Sequence, residues 1–224
     1  MNLIKKIKEK LRYGTFLQSV FGMLYKIGID IMPYYWVAEN YNDSVRLDER
    51  NFSGYSFEFF GLEEIRFISQ IKDDPYRQWL GEERILKRSE NGNKCFGVKY
   101  KGEIAAFMWI NFKECCNNYH FEGLKKNEAY IFDVYTIKKF RGKKIASHMR
   151  NQAYKALNKD GIYIFYSLCG IFNVPSVKSK KHLNGKFLKT VVYIKLFKRF
   201  PWRWTIKELK HSSAIGLEHY NGRV

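Results

Sequence analysis

Two runs rich in β-branched, aromatic and small apolar side chains, Lys94 to Tyr100 and Glu103 to Asn111, stand two residues apart across Lys101-Gly102. So short a link between strands needs positive φ, which glycine adopts without a steric penalty, so the segment reads as a β-hairpin. A hairpin commits the surrounding chain to a sheet. The flanking segments then supply both strands and helices. Tyr55 to Phe60 is a strand candidate, and Leu62 to Ile71 is helical, with Leu62, Ile65, Phe67 and Ile68 on or near one stripe. A polar loop from Lys113 to Asn127 precedes a strand from Ala129 to Ile137. The basic turn Lys138 to Lys144 opens a helix that runs to about Asn158, closed by Asp160-Gly161, and a strand follows from Ile162 to Leu168. Asn173 caps a helix from Val174 to Leu183 that tolerates Pro175 in its first turn. Lys186 to Phe197 and Trp202 to Leu209 are the last strands, and a loose tail ends the chain.

The first 54 residues behave differently. Leu3, Ile4, Ile7 and Leu11, then Phe16, Leu17, Val20, Phe21 and Leu24, recur at helical spacing opposite a Lys- and Arg-rich face, so residues 2–27 read as an amphipathic helical extension. Such a helix packs on its own protein or a second copy, or lies on an anionic membrane. Residues 37–54 carry Asn40, Asn42, Asp43, Asp48, Asn51 and Gly54 without apolar period and read as a linker. The run from Phe16 to Trp36 is broken by Gln18, Lys26, Asp30 and Pro33, which argues against a membrane-spanning helix, and it lacks the cleavage site of a signal peptide. The expected organisation is an extension and linker at 1–54, a catalytic body at 55–210 and a tail at 211–224.

Charge and cysteine usage narrow the partners. Forty Lys and Arg against 22 Asp and Glu give a net charge of +18, which favours an anionic partner: a phosphate-bearing cofactor or substrate, nucleic acid or a membrane surface. No nucleic-acid motif accompanies it. Cys95, Cys115, Cys116 and Cys169 lack zinc-knuckle spacing, so no metal site is expected. Cys115 and Cys116 read as reduced thiols in a polar loop, which suits a cytoplasmic protein.

Phe140-Arg141-Gly142-Lys143-Lys144-Ile145-Ala146-Ser147 lies between a strand and a helix, where backbone N–H groups and the helix dipole face an anion. Gly142 and Ala146 permit close approach of backbone to oxygen, and Arg141, Lys143 and Lys144 add positive charge. The segment resembles the coenzyme A pyrophosphate loop of the GNAT acetyltransferases, in which Gln or Arg is followed after two residues by Gly and then, one further on, by Gly or Ala. Arg141 and Ala146 match. The central glycine is Lys144 here, where a positive-φ backbone is expected to be harder to adopt. Asn173-Val174-Pro175-Ser176 resembles the family's Asn-x-x-Ala/Ser signature, and the order of elements from Tyr55 to Leu209 follows the family.

The resemblance implies an α+β GNAT fold, a mixed central sheet flanked by helices, with acetyl-CoA as acyl donor and a small amine as acceptor. It implies that Arg141 through Ser147, with Asn173 and Ser176, hold the cofactor, and that Val134, Tyr135 and Thr136 pair with its pantetheine arm like an added strand. Asp133 then lies beside the thioester as a candidate base, acting through water, with Ile131, Asp133 and Tyr135 on one strand face by alternation. The family's usual acid is a tyrosine on the helix after Asn173, but this chain reads Ser179-Lys180-Lys181-His182. His182 or Lys180, Tyr135 or Tyr166, or water are the alternatives. The basic leader and lysine-rich end resemble acetyltransferases that modify amino sugars of surface polysaccharides. Two rival expectations stand beside this one: a non-catalytic acyl-CoA-binding or membrane-tethering domain, and a tRNA-dependent aminoacyl transferase.

Overall fold

A computed structural model describes residues 15–41, 52–71, 81–116, 120–197 and 199–208. The chain divides into two compact units, one built from residues up to Glu39 with those from Ser167 onward, the other from Asn40 to Tyr166.

In the 40–166 unit, the expected hairpin is present residue for residue as β3 (Lys94–Tyr100) and β4 (Glu103–Asn111), with Lys101 and Gly102 both at positive φ. β2 (Tyr55–Phe59) pairs antiparallel with β3. On the far side of β4 lies β7 (Glu128–Thr136), also antiparallel, and β7 in turn runs parallel to the start of β8 (Ile164–Gly170). The sheet is therefore mixed. Residues Ile104 to Ile110 of β4 are all buried, the mark of a strand covered on both faces. One layer is formed by α2 (Leu62–Ser69) and α3 (Glu82–Glu90), whose Ile65, Ile68 and Ile85 share a core with Phe107 and Trp109. The other is α4 (Ile145–Asn158), which buries Ile145, Met149, Ala153 and Leu157 at helical spacing and stacks Tyr154 on Phe165.

One helix and one small hairpin of this unit were not anticipated. Helix α3 has little apolar periodicity, because Ile85 alone is buried. It is set by Gly81 at its N-cap, Glu82 and Glu83 in the first turn and Lys87 and Arg88 in the last, the charge order that suits the helix dipole. The stretch expected to be a polar loop contains a small hairpin, β5 (Glu114–Cys116) with β6 (Phe121–Gly123). Cys115 is accordingly a buried strand residue and not a loop thiol.

The other unit holds α1 (Thr15–Lys26), β1 (Ile29–Glu39), the end of β8, α5 (Val174–His182), β9 (Lys186–Leu196) and β10 (Phe200–Glu208). Residues 29–39, of which 37–39 were expected to begin the linker, instead form β1, which pairs antiparallel with β9 from Ile29 opposite Leu196 to Ala38 opposite Lys186. Aromatic and β-branched content drives this in spite of Pro33. The Pro33 carbonyl accepts from Ile171 N at 3.1 Å, just past the end of β8, so the missing proline N–H falls where that strand stops. β9 also pairs with β10. The amphipathic stretch at 2–14 lies outside the described residues. No helix among the described residues is long and apolar enough to cross a membrane.

Candidate functional site

β7 does not run straight past β4. Phe132 stands opposite Trp109 and Tyr135 opposite Phe107, so Asp133 and Val134 together oppose the single residue Met108. This is a β-bulge, and Asp133 sits in it at φ +46°, a conformation that Asp tolerates better than most residues. The bulge overturns the expected alternation. Phe132 and Tyr135 share one face, packing toward Trp109 and Phe107, while Ile131 opposes Ile110 on the other. Ile131, Asp133 and Tyr135 therefore do not line one face, because the extra residue resets the two-residue period.

The Asp133 carboxylate accepts a hydrogen bond from Arg88 Nη1 at 2.5 Å, and both side chains are largely shielded from solvent. Arg88 comes from α3 and lies 5.4 Å from the Trp109 ring centroid and 5.2 Å from that of Phe132. A planar guanidinium beside two aromatic rings is steadied where it meets the carboxylate. Alongside is a cavity of about 700 Å³, lined among others by Arg88, Glu90, Asn93, Glu114, Tyr130 and Phe132. Asn93 donates its amide to Arg88 O at 2.9 Å, and among the described residues its buried Oδ1 accepts no hydrogen bond. Arg88, Glu90, Asn93, Glu114 and Tyr130 did not stand out in the sequence. The charge order of α3 was the available signal, and it says nothing about which strand Arg88 would meet.

At the end of β7 the chain turns through a short 3₁₀ segment, Lys138–Phe140, into the basic loop. Arg141 folds back on the strand it has just left: Nε donates to Thr136 O at 3.0 Å and Nη2 to Tyr135 Oη at 3.2 Å, with the guanidinium over the Tyr135 ring at 5.4 Å. Gly142 has φ +82° and Lys144 has φ +57°. Lys144 thus adopts the left-handed conformation that its side chain was expected to resist, at a cost of about 1–2 kcal/mol relative to glycine. Lys144 is the N-cap of α4, and its side chain makes no capping hydrogen bond. Arg141 to Lys144 are exposed, whereas Ile145 and Ser147 are buried and Ala146 is half-buried. A helix start with three nearby cations suits a phosphate.

Tyr166, a candidate acid, donates to Glu128 Oε1 at 3.2 Å. Burial first, and then the Glu128 carboxylate, push its phenol well above the usual range. It remains a protonated donor at neutral pH.

In the other unit, Asn173 caps α5 as expected, its Oδ1 accepting from Ser176 N at 3.2 Å. The pair is therefore a capping turn. His182 is exposed in the last turn of α5. Lys180 is buried: its ammonium donates to Ser167 Oγ and lies 3.4 Å from Glu39 Oε2, and Ser167 Oγ donates to the same carboxylate at 3.0 Å. Among the described residues no cluster of three His, Cys, Asp or Glu side chains could hold a metal ion.

The sequence matches none of the curated protein sequences. Among solved structures it resembles an acetyltransferase from the GNAT family of Colwellia psychrerythraea, at 16% identity and a TM-score of 0.53, over 77% of this chain and 59% of that one. It also resembles a functionally unknown conserved protein from Staphylococcus epidermidis, at 7% identity and a TM-score of 0.56, over 80% of this chain and 66% of that one. The chain thus spans less than two thirds of the length of either, and the likeness is one of fold. The family model for the acetyltransferase (GNAT) family matches residues 58–179, more than half of the chain and including the β7 bulge, the basic loop and the Asn173 cap. With a mixed sheet flanked by helices around those elements, the chain belongs to the GNAT acetyltransferase family.

Proposed function

We propose that the protein transfers an acetyl group from acetyl-CoA to the primary amine of a small acceptor, an amino sugar carried on a nucleotide or lipid. The observation that supports this best is the Arg141 loop. An arginine anchored to Tyr135 and Thr136, a positive-φ Gly142 and Lys144, and the start of α4 form a cationic turn that opens a helix. That turn would take the coenzyme A pyrophosphate on backbone N–H groups and on Arg141, Lys143 and Lys144, and Val134 to Thr136 would run beside the pantetheine arm. Asn173 and Ser176 serve as helix cap first, and any cofactor contact would come from that turn.

The acceptor would enter the cavity beside Arg88. Glu90 and Glu114 attract an ammonium, and Tyr130 and Phe132 offer ring faces to a sugar. Only the neutral amine attacks a thioester carbonyl. As its nitrogen bonds to the acyl carbon the sulfur leaves as thiolate, and the amine's surplus proton passes to Asp133 through water. Arg88 fixes the orientation of that carboxylate. His182, being exposed, and Tyr166, being held by Glu128, are weaker donors to the thiolate than Tyr135 or water.

Calorimetric titration with acetyl-CoA tests the loop. Arg141→Glu is expected to weaken binding at least about tenfold while the fold persists. Unchanged affinity would reject the assignment. Asp133→Asn keeps a residue that tolerates positive φ, so it changes the charge with little effect on the backbone. It is expected to lower kcat toward an amino-sugar nucleotide by about 10²-fold with acetyl-CoA binding intact. A wild-type rate across pH would remove Asp133 as the base. Cofactor binding without turnover on any amine would favour a non-catalytic sensor.

A further inference from the structure

β10 lies at the edge of its sheet beside β9. It exposes Phe200, Trp202, Trp204 and Ile206 by 51%, 54%, 74% and 66%, an apolar row far larger than the scattered single residues of an ordinary surface. Register shows how the row is built. Phe200, Trp202 and Trp204 oppose Leu196, Ile194 and Val192 of β9, so three rings and three half-buried aliphatic side chains share one face. The register slips between Thr205 and Lys207, which sets Lys207 opposite Thr190 and brings its side chain onto that same face. At the other end the Arg199 guanidinium lies 5.9 Å from the Phe200 ring centroid. The row therefore begins with one cation and ends with another.

We propose that this face docks on an anionic lipid bilayer surface. Tryptophan and phenylalanine side chains settle where an apolar phase meets water, and Lys and Arg beside them are drawn to anionic headgroups. The chain's net charge of +18 acts in the same direction. A second copy fits less well, because a twofold pairing would bring two molecules of that charge together. A single-stranded nucleic acid fits less well too, since half of the face is aliphatic and offers no ring for a base to stack on.

Sedimentation of the full chain with vesicles tests this, using phosphatidylcholine alone and phosphatidylcholine mixed with phosphatidylglycerol. Wild type is expected to sediment with the anionic vesicles only. Trp202→Ser with Trp204→Ser should weaken that binding at least about tenfold, and Arg199→Glu with Lys207→Glu should abolish the preference for anionic lipid. Brominated acyl chains should quench wild-type tryptophan fluorescence, a readout that needs no variant. Quenching should vanish in Trp202→Phe with Trp204→Phe, made together with Trp79→Phe, while sedimentation persists, because the two remaining tryptophans, Trp36 and Trp109, are buried. Absence of binding to anionic vesicles overturns the proposal. So does equal binding by a natively folded serine variant. A dimer, or an oligonucleotide complex, that the serine variant abolishes would assign the face to that partner instead.

Discussion

At Gly97 there is room for a hydrogen and nothing larger. A Cβ built there would stand 1.9 Å from Cζ of Phe60, whose ring lies over the middle of β3 and enters the core with Ile65 and Trp109. Glycine in a strand is otherwise unfavourable, so its presence is explained by this close approach. Gly97→Ala is expected to destabilise the protein by about 1–3 kcal/mol, since Phe60 must leave a well-packed position. Chemical denaturation measures it, and a smaller loss would mean that the ring relocates freely. Lys144 and Asp133 present the opposite case at the same scale. Both hold positive φ without being glycine, and both lie where the family's chemistry is expected. Lys144 departs from the family motif, yet its backbone shows that the substitution changed the side chain and left the turn in place. What the residue type alone predicted there, a turn hard to form, was outweighed by the packing of Phe140 and Ile145 on either side.

Among the elements, legibility followed the locality of the signal. The β3–β4 hairpin, α4 and the Asn173 cap depend on turn glycines, capping side chains and helical spacing, which lie within a few residues of each other, and each was found within about two residues of its expected position. β1 was missed because Pro33 and Asp30 break its pattern, and pairing with β9 and β8 on its two sides makes the strand. α3 was missed because a single buried residue gives no period. An ion-pair cluster ties several of these elements together. Lys99 of β3 lies 3.0 Å from Glu58 of β2 and 2.9 Å from Glu64 of α2. The hydrogen bond from Lys99 is the largest cause holding the Glu64 carboxyl below its ordinary value of 4.5. A depressed carboxyl pKa contributes stability above the unfolded value and loses it as pH falls through the folded one. The stability difference between wild type and Lys99→Met should therefore be under about 1 kcal/mol at pH 6, given the partial exposure, and shrink toward zero as the pH is lowered well below 4.5. Urea unfolding across that range checks it, and a constant difference would mean that only the lysine's methylenes matter.

On the scale of the whole molecule, each compact unit has its own buried polar feature. In the unit formed by residues up to Glu39 and from Ser167 onward, Lys180 of α5, Ser167 of β8 and Glu39 of β1 meet with relative exposures of 2%, 1% and 1%. Gly185 allows this contact, since a Cβ there would press on Glu39 and on the Lys180 carbonyl. Lys180→Met would bury the Glu39 carboxylate without its cation and is expected to cost about 3–5 kcal/mol. Adding Glu39→Gln should restore part of it. A double variant no more stable than the single one would show that packing of the long lysine stem dominates.

The sequence by itself determined the fold class, the family, and the basic turn that opens α4. Local period, turn chemistry and a short motif suffice for these, and none depends on which distant strand lies alongside. Only the tertiary structure decided that Arg88 meets Asp133, that a bulge places Tyr135 and Phe132 on one face, that Lys180 is internal, and that Lys207 joins the aromatic row of β10. Each of these depends on register between strands or on helix packing across long stretches of chain. A shift of one residue there reverses a side chain's face, and nothing local in the sequence records it.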